Sequence, residues 1–130
     1  MEMPMNKEII ATDKAALPVG PYSQAVKAGN LIFVAGEKGI DPATGKIVPG
    51  GIEAETRQTL ENIRVILAAA GATMDNVVRS VVYMTDIGEF QQMNQIYAEY
   101  FQSDPPGRSC VQVVALPADA HVEIEVTAAQ

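Results

Sequence analysis

The sequence predicts an α+β domain in which a mixed β-sheet carries two helices on one face. Three observations predict it. Short apolar stretches bounded by Gly, Pro, Asn and Asp occupy residues 7–35 and again 109–128. Between them, side chains recur at helical spacing in two segments, divided by one strand-like run. The length, 130 residues, suits one domain spanning 1–130, since a chain of this size removes roughly two-thirds of its unfolded surface from water. The expected order is β-β-β-α-β-α-β-β, with residues 1–6 a loose N-terminal extension.

Residues 7–10, 22–28 and 31–35 read as the first three strands. Gly29-Asn30 lies between the last two as a two-residue hairpin turn that tolerates positive φ. Asp41-Pro42-Ala43-Thr44-Gly45 and Pro49-Gly50-Gly51 are turn chemistry. From Ile52 the period changes: Ile52, Thr56, Leu60, Ile63, Leu67 and Ala70 form one stripe, with Glu55, Arg57, Glu61 and Arg64 outside it. Glu53 and Glu55 favour the positive end of the helix dipole, and Gly71 is a stop. A strand follows at 77–84. The second helix starts at Asp86, with Glu89 completing a capping box, and sets Phe90, Met93, Tyr97 and Tyr100 on one face. It ends before Ser103-Asp104-Pro105-Pro106. The last strands, 109–116 and 121–128, are joined by Pro117-Ala118-Asp119-Ala120.

Strand faces can be read separately because side chains alternate. In 77–84 one face is Val77, Arg79, Val81 and Tyr83, the other Val78, Ser80, Val82 and Met84, and both are largely apolar. Two helices cover only one face, so the other is expected to meet another copy of the chain. In 121–128, Val122, Ile124, Val126 and Ala128 are expected to face the helices, and His121, Glu123, Glu125 and Thr127 to face away. On pattern alone, Glu123 and Glu125 read as solvated rim charges.

Composition excludes several chemistries. One His (His121) and one Cys (Cys110) are too few for a Cys/His zinc site, and a single Cys forbids an internal disulfide. A Ser-His-Asp or Cys-His mechanism would hang on His121 alone. Nine Lys+Arg against 16 Asp+Glu, net charge −7, and 5% aromatic residues oppose nucleic-acid binding. The N-terminus lacks the pattern of a secretory signal, and the longest uncharged apolar stretch, 65–74, is far short of the ~20 residues of a membrane helix. A cytoplasmic protein without membrane contact is expected.

More specific are Gly20-Pro21-Tyr22-Ser23-Gln24-Ala25, Ala35-Gly36 leading to Ile40-Asp41-Pro42-Ala43-Thr44-Gly45, and Thr56-Arg57-Gln58-Thr59-Leu60-Glu61-Asn62-Ile63. They are followed by Met93-Asn94-Gln95-Ile96-Tyr97-Ala98-Glu99-Tyr100-Phe101, Arg108-Ser109-Cys110-Val111, and Leu116-Pro117 before Val122-Glu123-Ile124-Glu125. In this order, without large insertions, the chain resembles the reactive intermediate deaminase A family, also called the YjgF family. The resemblance implies a chorismate-mutase-like fold and a homotrimer whose sheets form a central barrel with clefts between subunits. It implies hydrolysis of enamine and imine intermediates, such as 2-aminoacrylate, 2-iminopropanoate and 2-iminobutanoate, to 2-oxo acids and ammonia, protecting pyridoxal-phosphate enzymes. No cofactor or metal is implied. The alternative is a non-catalytic trimer that binds small carboxylates such as 2-oxo acids.

By the same resemblance, Arg108 is the clamp for the substrate carboxylate, a task its planar fork suits, with a surface ion pair as the plain alternative. Glu123 orients the attacking water and moves its proton. Tyr22 covers the substrate or is a core-edge tyrosine; Asn94 is a cleft hydrogen-bonder or a surface amide. Cys110 offers its backbone N–H while its thiol packs, and Gly36 permits close approach. His121 reads as a strand-end surface residue. Many relatives continue Gly36 with Gln, an apolar residue and Pro; this chain has Glu37-Lys38-Gly39, expected to put two charges and a flexible glycine on a loop at the cleft mouth. Gln112 stands where Glu is common, and Gly107 where Ala is common.

Overall fold

The computed structural model describes residues 6–130, so the expected N-terminal extension lies outside the described residues except for Asn6. The elements run β1 (Lys7–Ile10), β2 (Ala25–Ala28), β3 (Leu31–Lys38), β4 (Ile40–Asp41), β5 (Lys46–Ile47), α1 (Gly51–Ala69), β6 (Val77–Met84), α2 (Phe90–Tyr100), β7 (Gly107–Gln112) and β8 (Val122–Ala129). Six strands form one sheet in the order β1-β2-β3-β8-β6-β7, and β4-β5 is a separate hairpin. Neighbours are antiparallel except β6 and β7. That exception follows from α2, because parallel strands need a crossover long enough for a helix.

Both helices pack on one face, as the faces of the sequence require. Leu60, Ile63, Ile66 and Leu67 of α1 and Met93 of α2 are fully buried against Ile32, Val82, Met84, Val122 and Ile124 of the sheet. Along β8, Val122, Ile124, Val126 and Ala128 are buried and Glu123, Glu125 and Thr127 are half-exposed, in the expected alternation. The opposite sheet face is open, with Ile9, Phe33 and Val111 exposed among the described residues.

Four local expectations are corrected by tertiary contacts. β2 starts at Ala25 because Gln24 is buried: its amide accepts from Thr12 N–H and donates to the carbonyls of Thr12 and Ala16, folding 11–24 into a loop around itself. A bulge between Val77 and Arg79 shifts the register of β6, so Val77 joins Ser80, Val82 and Met84 on the buried face and Val78 is exposed. The second helix begins with a 3₁₀ turn, Ile87–Glu89, capped by Asp86 accepting from Gly88 N–H; Glu89 makes no reciprocal bond, and Ile87 N–H goes instead to Gln112. β7 ends at Gln112, short of the expected Leu116.

The segment Glu37-Lys38-Gly39 is not a loop. β3 continues to Lys38 through a bulge after Val34. A Cβ on Gly39 would lie 2.7 Å from Glu55 Cα, so this glycine allows close strand–helix packing rather than flexibility. Glu55, placed outside the helical stripe by its charge, is 2% exposed; it accepts from the His121 backbone N–H at 2.8 Å and pairs with the His121 ring through Nδ1. His121 is thus a surface residue with a structural partner.

Two groups in this region make stability fall on the alkaline side. Burial raises the Glu37 carboxyl from its ordinary 4.5 to about 8, with Lys38 opposing and Glu123 adding to the rise. Between those values the unfolded chain releases a proton that the folded chain keeps, so stability drops by roughly 1.4 kcal/mol per pH unit. The bond and charge of Glu55 raise the His121 ring pKa, so its contribution is full below the ordinary histidine value and is lost as pH rises through the folded one. Glu37→Gln is expected to flatten the stability profile between about pH 5 and 8 and to exceed the wild type at pH 8. Urea unfolding at several pH values checks this; an unchanged slope contradicts it.

Candidate functional site

Arg108 lies on edge strand β7, in register with Ser80 of β6, and therefore on the helix-bearing face. α2 builds its seat. The guanidinium lies over the Tyr97 ring at 4.6 Å and near the Phe90 ring at 5.5 Å, and Nη1 donates to Asn94 Oδ1 at 2.8 Å. Tyr97 is itself held, its hydroxyl 2.6 Å from Ser80 Oγ, and burial raises its pKa against smaller opposing effects of Ser80 and Arg108. Stacking contributes about 0.5–2 kcal/mol and fixes the plane of the fork. One donor is spent on Asn94; the others meet no acceptor among the described residues. Cys110, two residues on, also points toward the core and is half-buried.

Glu123, Tyr22 and Gly36 come together elsewhere. With Val19, Ala35, Lys38 and Pro117 they line a cavity of about 270 Å³. Glu123 is on central strand β8 and pairs in register with Lys38 of β3 and Tyr83 of β6. Lys38 Nζ lies 3.5 Å from Glu123 Oε1. A Cβ on Gly36 would sit 2.4 Å from Glu123 Oε2, so the bulged glycine makes the room that the carboxylate occupies. The Tyr22 hydroxyl accepts from Val19 N–H at 3.3 Å, which folds the 19–22 turn over the cavity. Glu125 is engaged separately, accepting from Tyr83 OH.

The sequence-selected residues thus form two groups, and one chain cannot unite them. Ser80 connects the registers: it is opposite Arg108 on one side and Val126 on the other, three residues along β8 from Glu123. With strands about 4.8 Å apart and a rise of about 3.3 Å per residue, Arg108 and Glu123 are about 14 Å apart within the sheet. They also face opposite sides of it. Arg108, Asn94 and Cys110 form one group, and Tyr22, Gly36 and Glu123 the other.

Two further members escape sequence reading. Tyr97 carries Arg108 but has the spacing of a core residue, and the stack is revealed only by its hydrogen bond to Ser80, the residue in register with Arg108. Lys38 enters the cavity because β3 runs three residues beyond its predicted end. Alternation extended past Ala35 would place Lys38 on the helix-bearing face; the bulge between Val34 and Glu37 reverses this, and no local pattern marks it. Among the described residues no cluster of His, Cys, Asp and Glu is fit to hold a metal ion.

Cys110 is not set up as a nucleophile. Burial pushes its thiol up from the ordinary value, against a smaller opposing pull from Arg108. Its reaction with a chromogenic disulfide at pH 8 is expected to be several-fold slower in the native protein than in urea, and equal rates contradict this.

The chain has relatives in both sequence and structure. Residues 12–130 match the family model described as endoribonuclease L-PSP. A RutC family protein of Pyrococcus horikoshii is 52% identical over 122 residues, covering 94% of this chain and 97% of that one. The 2-iminobutanoate/2-iminopropanoate deaminase of Bos taurus is 48% identical over 124 residues, covering 95% and 90%. Among solved structures, E. coli TdcF with bound serine superimposes with a TM-score of 0.91 at 37% identity, covering 95% and 98%. With that match and those identities over nearly its whole length, the chain belongs to the YjgF, or reactive intermediate deaminase A, family.

Proposed function

We propose that this protein hydrolyses short 2-imino acids and their enamine tautomers to 2-oxo acids and ammonia, in clefts formed between the subunits of a cytoplasmic homotrimer. The observation that carries the reading is the placement of Arg108 and Glu123 on two separate surfaces of each chain; we assign the first as the carboxylate clamp and the second as the water-orienting group. Bringing an Arg108 half from one copy against a Glu123 half from the next completes a site. The exposed apolar outer face of the sheet supports such assembly.

In that cleft Arg108, held in plane by Tyr97 and Asn94, grips the substrate carboxylate through its remaining donors, with the Cys110 backbone N–H beside it. Glu123 takes a proton from a water as the water oxygen bonds to the C=N carbon, giving a carbinolamine. That proton passes from Glu123 to nitrogen; Glu123 then takes the hydroxyl proton as the C–N bond breaks and the C=O bond forms, so ammonia leaves with the 2-oxo acid and carries the last proton away as ammonium. Tyr22 closes the cavity over the substrate. An iminium is already electrophilic, so positioning supplies much of the effect. The bovine relative's name supports the reaction, and the serine held by TdcF shows that protein binding a molecule of similar size. The description of the family model names an endoribonuclease, but a net charge of −7 offers phosphates little.

The test couples the protein to a pyridoxal-phosphate threonine dehydratase and measures 2-oxobutanoate release against semicarbazide trapping. Wild type is expected to accelerate release, and Arg108→Ala and Glu123→Gln each to abolish the acceleration. If Glu123→Gln keeps full ligand binding but wild type gives no acceleration, the protein is a binding module. Refolding the two variants together should restore about a quarter of wild-type activity, because head-to-tail interfaces then include native pairs of halves. No restoration contradicts the shared cleft.

Gly36→Ala separates positioning from folding. The added methyl meets the mobile end of Glu123 rather than backbone, so melting temperature should hold. Turnover is expected to fall by about tenfold or more as the carboxylate is displaced. Unchanged kcat would contradict a role for this close approach.

A further inference from the structure

The cavity around Glu123 contains a second charge. Lys38 is the cross-strand neighbour of Glu123, and its side chain is 8% exposed. Its ammonium is 3.5 Å from Glu123 Oε1, beyond the usual 2.7–3.2 Å of a hydrogen bond, and it donates to no other group among the described residues. An ammonium has three donors and no acceptor, so a buried one without acceptors has capacity for a ligand.

The backbone fixes where that ammonium sits. Lys38 O accepts from the buried Asn62 amide at 3.2 Å, Ile40 O accepts from the same amide at 2.9 Å, and Gly39 packs against Glu55. The preceding carboxyl does not compete for the charge. Glu37 pairs in register with Ile124 and so faces the helices, and at about 8 its pKa leaves it mostly protonated at neutral pH. Val19, Ala35 and Pro117 make the remaining walls apolar, and the Tyr22 hydroxyl is engaged by Val19 N–H. A substrate whose reacting carbon lies at Glu123 therefore meets apolar wall, the neutral O–H of Tyr22, which accepts from Val19 and keeps its own proton to donate, and one ammonium as the single cation.

We propose that Lys38 is a specificity-determining residue that binds an anionic group on the substrate side chain, so that the cleft prefers 2-imino and 2-oxo dicarboxylates to their alkyl counterparts. The proposal rests on the deaminase reading for its account of which end of the ligand faces Glu123. Arg108 of one copy holds the carboxylate next to the reacting carbon. Lys38 of the other serves the distal carboxylate and Glu123 at once, which a compact ammonium with rotatable donors can do. A carboxylate brought there finds a cation already desolvated, whereas an alkyl chain leaves that ammonium with Glu123, 3.5 Å away, as its one partner.

The experiment compares binding of 2-oxoglutarate and 2-oxopentanoate, which share a five-carbon chain, to the intact protein by calorimetry. Wild type is expected to bind the dicarboxylate about tenfold more tightly or better. Lys38→Met is expected to abolish the preference and Lys38→Arg to retain it. Equal or weaker binding of 2-oxoglutarate by wild type overturns the proposal, as does a preference that survives in Lys38→Met. Hydrolysis of 2-iminoglutarate and 2-iminopentanoate, made in situ by an amino-acid oxidase, is measured in parallel. A binding preference without accelerated hydrolysis would sink the deaminase reading and leave the Lys38 assignment standing; hydrolysis of the alkyl imine without dicarboxylate preference would do the reverse.

Discussion

Side-chain alternation along β8 is the constraint that the rest of the molecule depends on. This strand lies at the centre of the sheet between β3 and β6, and its four inward residues, Val122, Ile124, Val126 and Ala128, are all buried beneath the helices. Slipping its register by one residue would place Glu123 and Glu125 in the core and expose that row, an exchange too costly to occur. Glu123 is therefore held on the open face by the burial of its neighbours. Its position relative to Lys38 and Tyr83 is set by cross-strand pairing rather than by any contact of its own.

The seat of Arg108 arises from a different requirement. Because β6 and β7 are parallel, the chain must cross over the sheet between them, and α2 is that crossover. Its face supplies Phe90, Asn94 and Tyr97 to the second residue of the next strand, which is how Arg108 obtains both a stacking surface and a hydrogen-bond acceptor. The two groups thus follow from topology on opposite faces of one sheet. Their separation also allows the protein to carry an acidic overall charge while presenting a bare guanidinium locally.

The region where β3, β8 and the start of α1 converge is densely polar for a domain of this size. Glu37, Lys38, Glu55 and Glu123 are buried or half-buried there, with His121 at the edge. Two glycines make this possible. Gly36 leaves space for a carboxylate, and Gly39 lets helix backbone approach the strand. Such a cluster costs stability, and its cost rises with pH through Glu37 and His121.

The helices, the period-two alternation of β8 and the Gly29-Asn30 hairpin turn were legible because each rests on local spacing, and the family motifs were legible because they are contiguous runs. The start of β2, the bulge at Val77–Arg79, the burial of Gln24 and Glu55 and the entry of Lys38 into the cavity were not. Each depends on a partner far away in the chain: Thr12 and Ala16 for Gln24, His121 for Glu55, Glu123 for Lys38. The sequence by itself determined which residue types were available, which faces had to be buried, and that neither zinc-site nor disulfide chemistry could be built from one His and one Cys. Only the tertiary structure decided that Arg108 and Glu123 belong to different surfaces. Local patterns carry no information about which strand lies beside which, and that adjacency sets the distance and the face on which two side chains meet.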